Sequence, residues 1–280
     1  MRLRGVRKSR NVEDRRRSRG GKAGAGIGGI GLLVILAIGY FAGIDVTPFL
    51  DGQTAGGQQS APRDLTPEEE RAAEFSSRVL TTTEEVWTQT FPSAFGRDYT
   101  PPILVLYSGI TQSPCGGASG ATGPFYCPAD KKAYLDTDFF ATMARQLGAK
   151  GDFAAAYVIA HEVAHHVQNE LGIIPKVNAQ RQRASQTEAN ALTVRLELQA
   201  DCLSGVWARA VGGLLEPGDI EEALNAARQI GDDTLQRRAG RVPQPHTFTH
   251  GTSAQRQRWF TTGYDSGDPN SCDTFGTNRL

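Results

Sequence analysis

Two histidines four residues apart stand in a stretch of the chain that is otherwise largely apolar. They belong to His161-Glu-Val-Ala-His165, and Ile159, Ala160 and Val167 lie beside them. Apolar residues around the whole helical circumference predict a buried helix. Because a buried imidazole needs a hydrogen-bond partner or a metal ion, this helix requires the rest of the fold to bring polar groups to it.

The spacing of these residues is typical of a metal site on a helix. Residues four apart are neighbours on a helix surface, so His161 and His165 can bind one ion from successive turns. Glu162 is offset by about 100° from His161 and by about 60° from His165. It can therefore approach the open position of the metal and act as general base toward water. The pattern predicts one Zn²⁺ ion, with Glu162 as a catalytic residue.

A catalytic zinc ion needs a third protein ligand. The segment Glu197-Leu-Gln-Ala-Asp201 offers two carboxylates four residues apart on a second predicted helix, residues 188–211. We expect Glu197 to be the ligand and Asp201 to accept the outer N–H of a ligand histidine. Glu188 is the competing candidate, but its polar neighbours indicate a solvated position.

The remaining histidines have different predicted roles. His166 lies about 140° around the helix from His161, which favours a core or hydrogen-bonding role. His246 and His250 belong to a polar loop, from which a histidine could stabilise the oxyanion of a tetrahedral intermediate. We expect His250, which is closer to the following helix, to have this role. The alternative is a histidine on the surface.

The first 46 residues predict a membrane anchor. Ten of the 30 basic residues lie between Arg2 and Lys22, and an uncharged run follows at 27–44. This run is close to the minimum length that crosses a bilayer, and the positive-inside rule places the N-terminus in the cytoplasm. The positive charge ends where the apolar run begins, which favours membrane lipid over nucleic acid as a partner. A cleaved signal peptide is the alternative.

The chain is thus expected to have four parts: a basic cytoplasmic segment (1–26), a transmembrane helix (27–46), a flexible linker (47–63) and a folded extracytoplasmic domain (64–280). Within the domain, strands are predicted near 102–107, 125–126 and 133–135. The predicted helices are 66–89, 152–171, 188–211, 217–239 and 253–262. This order predicts an α+β, zincin-like domain with a small sheet and a helical half that contains the active-site helix.

Four cysteines lie in the part that is predicted to be outside the cytoplasm, where an even number indicates two disulfides. Three pairings are possible. The short glycine-rich loop between Cys115 and Cys127 favours that pair, which leaves Cys202 with Cys272. A zinc site with cysteine ligands is the less favoured alternative, because no C-x-x-C spacing occurs.

Several motifs together resemble the bacterial neutral zinc metallopeptidase family of the YpfJ type. They are Asn11-Val-Glu-Asp-Arg-Arg16, Ser113-Pro-Cys-Gly116, Gly123-Pro-Phe-Tyr-Cys-Pro128, His161-Glu-Val-Ala-His-His-Val-Gln168, Glu197-Leu-Gln-Ala-Asp-Cys202 and His250-Gly-Thr-Ser-Ala-Gln-Arg256. The helical motifs are also similar to those of gluzincin proteases. The resemblance implies that Glu197 is the third zinc ligand and that Glu162 is the base.

The predicted function is that of a membrane-anchored zinc metallopeptidase, a hydrolase that cleaves peptide bonds in proteins or peptides outside the cytoplasm. The alternative is an anchored binding or scaffolding module that contains zinc without turnover. Glu162 favours the enzyme, because a binding module does not need a carboxylate beside the open metal position. A purely structural zinc site would need a fourth protein ligand, and no further histidine or cysteine has a suitable spacing.

Overall fold

The computed structural model of the chain describes residues 1–17, 64–119, 123–140, 143 and 148–280. The predicted transmembrane helix and the linker after it, residues 27–63, lie outside these ranges. Among the helices that the structure does describe, none combines the length and apolar character that a membrane crossing needs.

The described residues form a mixed fold of strands and helices. The strands are β1 (Val12–Asp14), β2 (Ile103–Tyr107), β3 (Ile110–Ser113), β4 (Gly116–Ser119), β5 (Phe125–Cys127) and β6 (Lys132–Asp136). The α-helices are α1 (Pro67–Phe95), α2 (Asp152–Glu170), α3 (Ile173–Arg181), α4 (Gln186–Ala210), α5 (Asp219–Gln229), α6 (Asp232–Arg238) and α7 (Ser253–Ser266). This composition confirms the expected mixture of a small sheet and a helical half.

Four strands form one sheet in the order β1-β2-β6-β5. The strands β1, β2 and β6 are parallel, whereas β5 runs antiparallel to β6 and lies at one edge of the sheet. The strands β3 and β4 form a separate antiparallel hairpin. The edge strand β5 lies against α2, because the Tyr126 hydroxyl is hydrogen-bonded to His166 and accepts an N–H from Asn169.

The helix α2 is the centre of the core. Nearly all of its residues are buried, as the apolar pattern around its histidines predicts. Its Phe153 ring stacks on Trp207 of α4, with the ring centroids 5.6 Å apart. The helix α1 begins at a capping box between Thr66 and Glu69, as predicted, and contributes Trp87 to the same core.

The N-terminal segment is part of the domain. The strand β1 pairs with β2 in parallel, with Val12 opposite Leu104 and Asp14 opposite Leu106. Met1 and Leu3 are buried in the main hydrophobic core. The domain boundary predicted at residue 64 therefore omits residues 1–17, which belong to the same folded unit. The sequence hides this strand, because three residues without alternation give no strand pattern.

Basic residues of the N-terminal segment pair with carboxylates of α1. The Lys8 ammonium is 3.0 Å from Glu74, and the buried Arg16 guanidinium is 3.5 Å from Glu70. Arg16 also pairs with Asp14 at 2.6 Å and donates to the Glu69 carbonyl. Basic residues of this segment, which were expected to contact lipid headgroups, thus have partners within the protein.

The helices α4 and α7 approach closely at two glycines. A Cβ atom on Gly205 would lie 2.1 Å from the Phe260 carbonyl oxygen, and one on Gly263 would lie 1.8 Å from the Cys202 carbonyl oxygen. Real Cβ atoms do not approach backbone oxygens so closely. Only glycine at both positions allows the two helix backbones to touch, and this contact brings Arg256 of α7 to Asp201 of α4.

The helices differ from the prediction in length and in number: α1 ends at Phe95 instead of 89, and α7 ends at Ser266 instead of 262. The predicted helix 217–239 is divided into α5 and α6 at Gly231, where a Cβ atom would lie 2.4 Å from the Ser253 nitrogen. The helix α3 was not predicted, since its apolar residues Ile173, Ile174 and Val177 form a short pattern.

We predict that Gly263→Ala lowers the free energy of unfolding by about 1 to 3 kcal/mol, because the new methyl group meets backbone that cannot move away. Urea denaturation of the purified chain measures the difference. Gly212→Ala is the matched control, since a Cβ atom at that exposed glycine has no neighbour within 4 Å. Equal stability of Gly263→Ala and the unchanged chain would show that the backbones of α4 and α7 are not in contact at Gly263.

Candidate metal centre

Three predicted ligand side chains come together between α2 and α4. The ligand atoms of His161, His165 and Glu197 all lie within 4.8 Å of one another. The Nε2 atom of His161 is 3.1 Å from one Glu197 oxygen, and the Nε2 atom of His165 is 3.5 Å from the other. All three side chains are largely buried. Two imidazole nitrogens and one carboxylate form a donor set that suits Zn²⁺.

His161 is oriented by Asp201. The Nδ1 atom of His161 donates to an Asp201 oxygen at 2.9 Å, so that Nε2 is the atom that faces Glu197. Burial alone would lower the pKa of His161, but the hydrogen bonds with Asp201 and Glu197 raise it to about 10. The metal-free histidine therefore binds a proton at neutral pH, and zinc must displace that proton.

Asp201 is itself held by a buried network. Its side chain has no exposed surface, and it accepts hydrogen bonds from Arg256 Nε at 2.8 Å, from Arg256 Nη2 at 2.9 Å and from the Tyr157 hydroxyl. Burial would raise the pKa of Asp201, but the charge of Arg256 and the hydrogen bond from His161 lower it to about 2. Asp201 is thus ionised at every physiological pH and can compensate positive charge on His161.

His165 is oriented by a neutral amide group, whereas His161 is oriented by a carboxylate. Its Nδ1 atom lies 2.8 Å from Oε1 of Gln168, three residues along the same helix. Gln168 has no exposed surface and donates to the Leu196 carbonyl at 2.7 Å and to Gln199 Oε1 at 3.1 Å. Both ligand histidines therefore have Nε2 available for a metal ion.

Glu162 lies beside the three ligand side chains without joining the group. It is buried, and burial raises the pKa of its carboxyl group, although the charges of His165 and His161 act in the opposite direction. A bound cation would also favour the ionised form. Glu197 behaves differently: burial would raise its pKa, but the charges of His165 and His250 and the hydrogen bonds of the histidines hold that pKa well below its usual range.

His250 is held near the centre by α6. The Asp232 carboxylate accepts backbone N–H groups from Thr249, His250 and Gly251, and it lies 3.5 Å from His250 Nδ1. Gly251 has a positive φ of 88°, which favours glycine. The His250 side chain is about half exposed, with 48% of its surface accessible. It is therefore accessible to a ligand from solution.

The other candidates lie outside the centre. Glu188 is exposed and forms the capping box at the start of α4 with Ser185. His166 is fully buried, where its Nε2 donates to the Thr100 carbonyl at 2.7 Å and its Nδ1 bonds to Tyr126. This environment is the hydrogen-bonding role that was expected for His166. His246 is exposed on a 3₁₀ turn.

Four further residues around the metal centre were not predicted to have a role there: Gln168, Tyr157, Asp232 and Arg256. Arg256 offers a signal, because it lies on the same helical face as Trp259, Phe260 and Gly263, a position that ordinary surface arginines avoid. Gln168 is similarly the polar residue that ends an otherwise buried helical run. For Asp232, whose role depends on a loop that folds back from residue 249, the local sequence contains no such signal.

The cysteines form the two disulfides that the sequence favoured. Cys115 is bonded to Cys127, and Cys202 is bonded to Cys272. Cys202 follows Asp201 directly, so the second disulfide fixes the C-terminal tail to the helix that carries Glu197 and Asp201.

The H-E-x-x-H motif on α2 and Glu197 on α4 together form a metal centre of the zinc-peptidase type. They place the protein in the class of proteins that have such a centre. Consistent with this class, the chain belongs to the family described as "Putative neutral zinc metallopeptidase", whose model matches residues 1–275. The family implies zinc as the metal.

Two relatives of the chain come from bacteria. The chain is 51% identical to the uncharacterized protein YpfJ of Escherichia coli (strain K12), over 99% of both chains. It is 46% identical to the uncharacterized protein Rv2575 of Mycobacterium tuberculosis (strain ATCC 25618 / H37Rv), over 70% of this chain and 68% of that protein. No solved structure gives a significant match.

We predict that Arg256→Met lowers the free energy of unfolding by about 3 to 5 kcal/mol, because the substitution removes the guanidinium group and its hydrogen bonds from the buried Asp201 carboxylate. Chemical denaturation of the metal-free chain measures the change. Arg258→Met is the matched control, since Arg258 is exposed on the same helix. If both variants lose the same free energy of unfolding, the Arg256–Asp201 pair contributes no more to stability than an exposed arginine does.

Proposed function

We propose that the chain is an active zinc-dependent endopeptidase that hydrolyses peptide bonds in proteins or peptides. One Zn²⁺ ion would be held by His161, His165 and Glu197. The observation that carries this proposal is the position of Glu162, a buried carboxylate beside a group of three ligands. No fourth side chain of the described residues joins that group, which leaves a coordination position for water or substrate.

A zinc ion bound there would acidify a water molecule and polarise the carbonyl group of the substrate. Glu162 accepts the proton of the attacking water and transfers it to the amine that leaves. Asp201 and Gln168 hold the two histidines in the orientation in which Nε2 faces the reacting groups. Arg256 keeps Asp201 ionised and in place throughout the reaction.

His250 stabilises the oxyanion that forms during attack. Partial burial disfavours a charged imidazole, but Glu197 and Asp232 raise the pKa of His250. Asp232 beside Nδ1 favours a proton on that atom, so the protonated imidazole offers its Nε2–H to a developing negative charge. The half-exposed position of His250 is compatible with contact to a substrate that enters from solution.

The edge strand β5 is the proposed site for an extended substrate. It has β6 as its one strand neighbour in the part of the sheet that the structure describes. Tyr126 of β5 bonds to His166 and Asn169, so this strand lies directly beside the helix that carries Glu162. A peptide that adds to the edge of β5 would be held extended alongside α2, the helix that carries Glu162 and the two histidines.

The experiment that tests the function compares the full chain with Glu162→Gln. We expect both to bind one equivalent of zinc, and we expect cleavage of an unstructured protein to fall about 10²- to 10⁴-fold in the variant, because it lacks the base. Glu188→Gln is the matched control, an exposed glutamate on α4 whose replacement should leave cleavage unchanged.

Two other outcomes would change the conclusion. If the full chain binds zinc but cleaves no member of a broad panel of proteins and peptides, it is a binding or scaffolding module. If Glu162→Gln cleaves as fast as the unchanged chain, another group is the base.

We further propose that the enzyme works outside the cytoplasm at a membrane. The two disulfides favour an oxidising compartment, and the apolar run at 27–44 favours membrane lipid as a partner. The pairing of β1 with β2 changes one element of the expected topology: a single crossing with a cytoplasmic N-terminus would require β1 to leave its sheet. We therefore propose that residues 1–17 and the domain lie on the same side of the membrane.

Cysteine labelling tests this topology. We predict that Arg10→Cys in the N-terminal segment and Arg258→Cys in the domain, both exposed positions, react equally with a membrane-impermeant thiol reagent outside an intact cytoplasmic membrane. Reaction of Arg258→Cys alone would support a single crossing with β1 separated from the domain. Reaction of neither would place the domain in the cytoplasm.

A further inference from the structure

Two buried glutamine side chains connect the ligand histidine His165 to the C-terminal tail. Gln168 of α2 contacts His165, Gln199 of α4 contacts Gln168, and Gln199 Nε2 lies 3.0 Å from the carbonyl oxygen of Cys272. Gln168 has no exposed surface and Gln199 has 8%. These buried amides use their hydrogen-bonding groups within the protein, as buried polar groups must.

We call the chain of hydrogen bonds from the Cys272 carbonyl through Gln199 and Gln168 to His165 the relay. The backbone carbonyls of Cys272 and Leu196 set the direction of each of its hydrogen bonds. The Cys272 carbonyl can only accept, so Gln199 must donate to it and present Oε1 to Gln168. Gln168 then donates its two N–H groups to Gln199 and to the Leu196 carbonyl. The remaining Oε1 of Gln168 must accept the Nδ1–H of His165. The proton of His165 is thereby placed on Nδ1.

The end of the relay is fixed by covalent and polar contacts. The Cys202–Cys272 disulfide bonds the tail to α4, three residues after Gln199. The Thr274 hydroxyl donates to the Arg195 carbonyl at 2.6 Å, and Arg195 donates to the carbonyls of Thr274 and Thr277. These contacts help to hold the Cys272 carbonyl in the position from which it accepts a hydrogen bond from Gln199.

We propose that Gln168 and Gln199 are positioning residues that hold His165 with Nε2 free for the metal ion, and that the Cys202–Cys272 disulfide supports them. The inference rests on the proposed zinc site. It extends that site to the C-terminal tail, so that an intact disulfide contributes to metal affinity. His161 has a separate partner in Asp201 and does not depend on the relay.

Zinc affinity, measured by competition with a chelator, tests the relay independently of peptidase activity. Gln168→Met retains the side-chain length but has no amide, and we expect it to weaken zinc binding about 10- to 100-fold. Gln199→Met should weaken it less, because the Leu196 carbonyl still holds Gln168. A zinc dissociation constant within twofold of that of the unchanged chain in both variants would overturn the proposal.

Removal of each disulfide provides a matched comparison. We expect the double variant Cys202→Ser/Cys272→Ser to bind zinc more weakly than the unchanged chain. The double variant Cys115→Ser/Cys127→Ser should retain its zinc affinity, since neither Cys115 nor Cys127 touches the relay. Equal affinities in the two double variants would contradict a role for the disulfide.

Proton placement can be measured in the unchanged chain, so the test does not depend on how the variants fold. In the zinc-loaded protein, ¹⁵N-histidine NMR should show His165 protonated at Nδ1 and bound to zinc through Nε2. Binding through Nδ1 would overturn the relay, whereas a chain that binds no zinc would instead contradict the proposed function.

Discussion

The buried Asp201 carboxylate is the point on which the metal centre depends. It accepts hydrogen bonds from His161 and Tyr157 of α2 and from Arg256 of α7, while its own backbone belongs to α4. Three helices therefore meet at one side chain without exposed surface. A buried charge is tolerated only when it is paired and hydrogen-bonded, so the three helices must pack correctly before this carboxylate is satisfied. The stability of the fold and the geometry of the metal centre thus both require that these three helices pack around Asp201.

The close packing of α4 and α7 follows from small residues and a covalent bond. Gly205 and Gly263 remove the side chains that would separate the helices, and the close approach allows the short Asp201 side chain to reach Arg256. The Cys202–Cys272 disulfide, which starts three residues before Gly205 on α4, holds the tail whose carbonyl orients Gln199. The helix that carries Glu197 is therefore restrained by a close helix contact and by a covalent bond, both within two turns of Asp201.

Local periodicity explains why much of the centre was predictable. His161 with His165, and Glu197 with Asp201, are pairs four residues apart, and such a pair faces one direction on any helix. The structure brings the first three of these side chains together. The capping box of α1 and the boundaries of α2 and α4 likewise depend on signals within a few residues. Predictions of this kind need no knowledge of tertiary contacts.

Long-range contacts explain why the other features of the fold and of the metal centre could not be predicted from the sequence. The strand β1 is recognisable only through its pairing with β2, about 90 residues later in the chain. The basic residues around it have the composition of a membrane-flanking segment, yet Lys8 and Arg16 find their partners on α1. Charge composition describes how many charges a segment has, and the tertiary fold decides which surface neutralises them. For the same reason, the role of Asp232 could not be read from its own neighbours.

The two histidine partners differ in charge, and this difference has a chemical consequence. A carboxylate behind a ligand histidine increases electron donation to the metal, whereas an amide orients the ring without adding charge. Here the Asp201 charge is balanced by Arg256, and Gln168 is neutral. In the proposed zinc site, Glu197 would then be the ligand that contributes net negative charge. A bound zinc ion would retain most of its positive charge, which is the property that acidifies water and allows Glu162 to remove the proton.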